Sequence, residues 1–129
     1  MVTFERAGEI LQELVEKIPE EFYKDLNGGV NLNPNVKISP MAVDEDLYIM
    51  GMYYRSGQLG RIITIYYGSF AQVYGKQAEE VWKKQLWNTL CHELTHHLES
   101  LAGEKDLEIE DRKQMLRYTE RKGRGQQKP

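Results

Sequence analysis

Apolar positions recur at intervals of three and four over the first eighteen residues. Phe4, Ala7, Ile10, Leu11, Leu14, Val15 and Ile18 fall on one face of a helix for which Thr3 is the natural cap. Pro19 fits the first position of a second, short helix, and Glu20 and Glu21 suit its positive end. Asn27-Gly28-Gly29 predicts the stop of that helix, because glycine takes the left-handed cap conformation without a Cβ penalty. Residues 30–44, punctuated by Pro34 and Pro40, read as irregular or weakly extended chain. The pattern then changes. Residues 47–54 and 61–67 are rich in strand formers and are separated by Arg55-Ser56-Gly57-Gln58-Leu59-Gly60, the spacing of a hairpin or of two neighbouring strands. The run Ile62-Ile63-Thr64-Ile65-Tyr66-Tyr67 is apolar on both faces, which places it inside a sheet. Gly68 and Gly75 bracket a short helical turn. A long helix follows over residues 76–102, stopped by Gly103. A last amphipathic helix over residues 106–121 carries Leu107, Ile109, Met115 and Leu116.

Composition narrows the class. A chain of 129 residues has the length of one domain, read as residues 1–122, with 123–129 as a disordered basic tail. Its hydrophobic content of 40% and charged content of 29% are those of a soluble globular protein. No apolar run approaches the roughly 20 residues that span a bilayer. The opening Met1-Val2-Thr3-Phe4-Glu5 lacks the basic and apolar regions of a signal peptide. A single cysteine, Cys91, excludes an internal disulfide and fits a reducing compartment, so a cytoplasmic location is expected. The net charge of −3 is unevenly spread: from residue 112 onward seven basic residues face one acid. Without an aromatic platform or a recognition fold, that basic end is expected to be a solvated helix and frayed tail, not a nucleic-acid surface.

All three histidines fall in one six-residue window, His92-Glu93-Leu94-Thr95-His96-His97, which contains H-E-x-x-H. On a helix, residues four apart lie one above the other, so His92 and His96 can offer ring nitrogens to a single ion. Glu93 is rotated by about 100° from His92 and stands beside the ion without being a ligand. There it can take a proton from water. Zinc with three protein ligands keeps a fourth position for that water and lowers its pKa to about 7. The surrounding helix fits this reading. With His92 at zero and about 100° per residue, His96 falls near 40°, Thr89 near 60°, Gln85 near 20° and Glu99 near −20°. Trp87, Leu90, Leu94, Leu98 and Leu101 cluster around roughly 160–240° on the same scale. The motif thus occupies a polar stripe opposite a core stripe. His97, at about 140°, flanks the core stripe and is expected to be partly buried, packing or orienting its neighbours. Cys91, at about 260°, is expected to be a small core residue.

The third ligand is less marked. Zincins with H-E-x-x-H-x-x-G-x-x-H turn the chain at glycine and supply a third histidine, but here those positions hold Glu99 and Ala102. Glu99 lies on the metal face yet two turns from His92, a rise of about 10 Å. If Gly103 breaks the helix, the chain can double back and present a carboxylate from the acidic segment that follows. Asp106 is the leading candidate, with Glu99 and Glu104 as alternatives.

At this point the chain resembles the minimal zincin-like metallopeptidase family of small bacterial proteins. The matching features are the opening helix leading to Ile18-Pro19-Glu20-Glu21-Phe22, then Gly51-Met52-Tyr53, Arg61-Ile62-Ile63-Thr64-Ile65-Tyr66, and above all the histidine motif followed by an acidic segment. The resemblance implies an α+β, zincin-like fold, with a short twisted sheet packed against the H-E-x-x-H helix and flanking N- and C-terminal helices. It implies His92 and His96 as zinc ligands, an acidic third ligand after the motif, and Glu93 as base. The chain departs from the family by carrying Glu99-Ser100-Leu101-Ala102 before Gly103.

The expected function is therefore a zinc-dependent metallopeptidase that hydrolyses peptide (amide) bonds by metal-activated water. Its partner is a peptide or protein substrate, laid along an exposed edge strand within residues 47–54, and not a membrane. Tyr53, Tyr66 and Tyr67 are candidates to stabilise the oxyanion. The alternative from another class is a metal-binding regulatory or protein-interaction module with little or no hydrolytic activity.

Overall fold

The computed structural model describes residues 1–40 and 47–103. The helix expected over 106–121, the candidates Glu104 and Asp106, and the basic tail lie outside the described residues. The first helix, α1 (Phe4–Lys17), begins where Thr3 Oγ1 accepts the N–H of Arg6 at 3.0 Å. Its buried face is Ala7, Ile10, Leu11 and Leu14, the stripe read from the spacing. Ile18 is extended (φ −96, ψ 130), as a residue before proline prefers, and the helix ends there. A single 3-10 turn, Glu20–Tyr23, follows Pro19.

The stop of that turn differs from the expectation. The chain turns first at Asp25, in the left-handed region at φ 64, and then again over Asn27 and Gly28, with Gly29 also left-handed at φ 71. Aspartate is one of the few non-glycine residues that visit this region. Gly29 instead opens a strand, β1 (Gly29–Asn33), in a stretch expected to be irregular. The signal for it is the alternation Val30-Asn31-Leu32-Asn33. It sets Val30 and Leu32 against the core and turns both asparagines to the opposite face.

Two further strands, β2 (Gly51–Ser56) and β3 (Gly60–Tyr66), form the expected hairpin. The sheet order is β1-β3-β2, with β1 parallel and β2 antiparallel to β3. The strand that is apolar on both faces occupies the centre, with Ile62, Ile63, Thr64 and Ile65 buried between its two neighbours. Residues 47–49, expected to begin the first hairpin strand, pair instead with 37–39. Ser39 N–H donates to Leu47 O and Ile49 N–H to Lys37 O, both at 2.8 Å.

Beyond the sheet come α2 (Tyr67–Tyr74) and the long α3 (Glu79–Ala102). Among the described residues, neither they nor α1 is long and apolar enough to cross a membrane. Leu86, Leu90, Leu94 and Leu98 of α3 are completely buried and meet Ile63 and Ile65 of β3 in one core with α1. Tyr67, Phe70 and Trp82 tie the short helix to the start of the long one, with Trp82 5.6 Å from Tyr67 and 5.9 Å from Phe70. The result is α+β, with helices on one face of a short sheet.

A polar clamp fixes the start of α3 on α1. Arg6 Nε and Nη2 donate to the two carboxylate oxygens of Glu79 at 2.8 and 3.1 Å. The guanidinium holds the Glu79 carboxyl down to about 2. Such a depressed carboxyl stabilises the fold above its ordinary pKa and loses that effect as pH falls through the folded value. Glu79→Gln should therefore lower the melting temperature at pH 7. The gap from wild type should close as pH drops from 4.5 towards about 2. Thermal unfolding by circular dichroism across that range checks it, and a gap independent of pH would remove the clamp from the account.

Candidate active site

The histidine motif lies in the second half of α3, and its surroundings follow from the rotation of that helix. Leu90, Leu94, Leu98 and Leu101 point into the core, so His92 and His96 project to solvent on the opposite side. Their Nε2 atoms are 3.1 Å apart and their rings are mutually perpendicular. Two nitrogens bound to one tetrahedral zinc at about 2.0–2.1 Å stand roughly 3.3 Å apart. The pair therefore has the donor chemistry and separation for two positions of a shared ion. Among the described residues, His, Cys, Asp and Glu side chains form no group of three or more able to hold a metal.

Glu99 does not join the two converging nitrogens. Its carboxylate lies 3.6 Å from Nδ1 of His96, on the ring edge away from Nε2. A carboxylate there favours the proton on Nδ1 and leaves Nε2 as the donor to metal, the usual arrangement of an outer-shell partner. In this arrangement the Glu99 carboxylate lies beside Nδ1 of His96 and not with the two converging Nε2 atoms.

Glu93 sits at the boundary between core and solvent and is only 8% exposed. Burial pushes its carboxyl up, while His96 and the backbone N–H of Tyr53 act in the opposite direction. The contact with Tyr53 is set by strand register. Tyr66 N–H donates to Met50 O, so the even-numbered residues of β2 face β3 with their hydrogen-bonding groups. Gly51, Tyr53 and Arg55 turn theirs to the free edge, and there Tyr53 N–H reaches Glu93. Gly51 makes the approach feasible. A Cβ at this position would lie 2.7 Å from Cγ2 of Thr89 and 3.3 Å from Cγ of Glu93. Ile49, Met50, Gly51, Asn88, Thr89, His92 and Glu93 line a shallow cleft of about 430 Å³ beside the motif.

The remaining sequence candidates are accounted for elsewhere. His97, expected to be partly buried, is fully buried between Tyr53 and the Lys24 carbonyl. Burial pushes its imidazole down; the Lys24 carbonyl and Asp25 oppose that shift, and Arg61 adds to it. Cys91 is a buried thiol, as expected. None of the three candidate tyrosine hydroxyls is directed to the motif. Tyr53 Oη bonds to His97, Tyr67 Oη donates to Val2 O at 2.7 Å, and Tyr66 Oη lies by Met52 Sδ. By strand alternation, Met52 and Tyr66 point away from α3. Gly51 belongs to the sequence resemblance but not to the candidate site residues; its neighbours across space are what give it a role.

A short sheet with a helix carrying H-E-x-x-H along its base defines the zincin class. The sequence profile of the zincin-like metallopeptidases matches residues 33–115, more than half of the chain, and the chain belongs to that family. It is also similar to the solved structure of a conserved hypothetical protein from T. thermophilus. The two are 39% identical with a TM-score of 0.68, over 79% of this chain and 99% of the other. A search of curated proteins finds no match.

The tight seat of Gly51 predicts a specific cost. Gly51→Ala should destabilise the protein by about 1–3 kcal/mol, since overpacking forces neighbours to shift. Thr89→Ser, which removes the opposing methyl, should return part of that loss in the double variant. Urea unfolding of the four proteins checks this; additive effects would mean that the two positions do not press on each other.

Proposed function

We propose that the protein is a cytoplasmic zinc metallopeptidase, with His92 and His96 as two ligands, a carboxylate after Gly103 as the third, and Glu93 as general base. Asp106 is the residue assigned to the third position. The observation that carries this reading is the convergence of two imidazole Nε2 atoms 3.1 Å apart, with a largely buried carboxylate at their side. Zinc bound there would act as a Lewis acid, polarising a scissile carbonyl and lowering the pKa of a coordinated water to about 7.

The chain's own residues supply the rest. Glu93 takes the proton from the attacking water and returns it to the leaving amine as the C–N bond breaks. Its raised pKa makes it a stronger base than an exposed carboxyl, which favours the first transfer. The free edge of β2 offers the outward carbonyls of Gly51 and Tyr53 to an extended peptide, which would lie along the cleft by strand addition. The buried Cys91 thiol accords with a reducing compartment.

Glu93→Gln should keep zinc and fold while turnover falls by roughly 10²–10⁴-fold, because glutamine cannot accept the proton. His96→Ala should lose most of the metal. Elemental analysis together with cleavage of a mixed peptide library reads both outcomes. Full activity in Glu93→Gln would overturn the assignment of the base. A zinc-loaded wild type that cleaves nothing would leave a metal-binding module in its place.

A further inference from the structure

His97 follows the second motif histidine directly, yet it has no path to the ion: it is fully buried on the core side of α3. Both of its ring nitrogens are nevertheless engaged. Nε2 lies 2.8 Å from the carbonyl oxygen of Lys24, and Nδ1 lies 2.9 Å from the hydroxyl of Tyr53. A carbonyl can only accept, so Nε2 carries the proton and donates to Lys24. Nδ1 of the neutral ring is then an acceptor, and the Tyr53 hydroxyl donates to it. The direction of each bond is thus fixed by the Lys24 carbonyl. That carbonyl is itself held in place, because Lys24 closes the 3-10 turn just before the left-handed Asp25.

Tyr53 touches α3 twice. Its backbone N–H meets Glu93 and its hydroxyl meets His97, one helical turn further on. Two residues four apart on a helix are separated by a rise of about 6 Å, which the length of a tyrosine spans. We propose that His97 is a positioning residue. By anchoring the Tyr53 side chain to the Lys24 carbonyl, it holds β2 in register on α3 and so keeps the Tyr53 N–H on the Glu93 carboxylate. A leucine would fill the same space without burying polar atoms that must all be satisfied. What the imidazole adds is direction: a donor and an acceptor at fixed angles in an otherwise apolar core. The proposal rests on Glu93 being the base only for its consequence in catalysis; the coupling itself is a property of the folded chain.

The test uses the full-length protein and reads the coupling before any turnover. Long-range proton–nitrogen correlation of the His97 ring should show the proton on Nε2 alone at pH 7; a proton on Nδ1 would overturn the proposal. Tyr53→Phe removes one hydroxyl and keeps the ring. Hydrogen exchange at the amide of residue 53 should then speed up by about 5–10-fold, the loss expected for one net hydrogen bond, with zinc stoichiometry unchanged. Tyr54→Phe removes a hydroxyl bonded to Thr64 on the other face and should leave exchange at residue 53 as in wild type. His97→Gln can still donate and accept, so it should retain more protection there than His97→Leu. Equal exchange in Tyr53→Phe and wild type, or equal loss in Tyr53→Phe and Tyr54→Phe, would overturn the positioning role. If wild type cleaves no peptide but these exchange results hold, the peptidase reading fails and the coupling stands.

Discussion

The rotation of α3 about its own axis governs everything else in the molecule. Trp82, Leu86, Leu90, Leu94, Leu98 and Leu101 are buried to within one per cent of completely. Removing that surface from water is the dominant favourable term available to a chain of this size. At about 100° per residue, these positions span roughly 80° to 240° from His92. No freedom of rotation remains. His92 and His96 must then face solvent, Glu93 must sit at one margin of the buried arc and Cys91 at the other. The polar face of the helix is a consequence of its core face.

The margin is where packing becomes chemistry. Glu93 is desolvated because β2 comes down on α3 at Gly51, where any side chain would press on Thr89 and on Glu93 itself. One close backbone contact therefore does two things. It raises the carboxyl's affinity for a proton, and it brings the free edge of β2 alongside the histidines. A larger residue at 51 would lift the edge strand and return Glu93 to water. The same turn of helix carries His97 inward, where the polar bonds to Tyr53 and Lys24 replace the water it loses.

What can be read in the sequence follows from which features are local. The stripe of α1, the cap at Thr3 and the pairing of the hairpin strands depend on residues a few positions apart and appear as read, although the first hairpin strand starts at Gly51 rather than at Leu47. β1 escapes such a reading because its alternation is four residues long and lies between two glycines and a proline. It becomes a strand through pairing with β3, thirty-three residues away in the register Val30 to Ile63. The left-handed Gly29 is legible, whereas the additional left-handed Asp25 has no glycine to mark it. The roles of Gly51 and Tyr53 have no local signal at all, since both arise from contacts across some forty residues of chain. The candidate for a third ligand, Asp106, lies outside the described residues.

The central claim is that α3 turns two imidazoles outward to share one zinc ion. Anomalous diffraction at the zinc edge, on crystals of the protein loaded with one equivalent of zinc, tests it most directly. The account predicts a single strong peak bonded to Nε2 of both His92 and His96 at about 2.0–2.1 Å. A peak bound through Nδ1, or seated away from this pair, would contradict it.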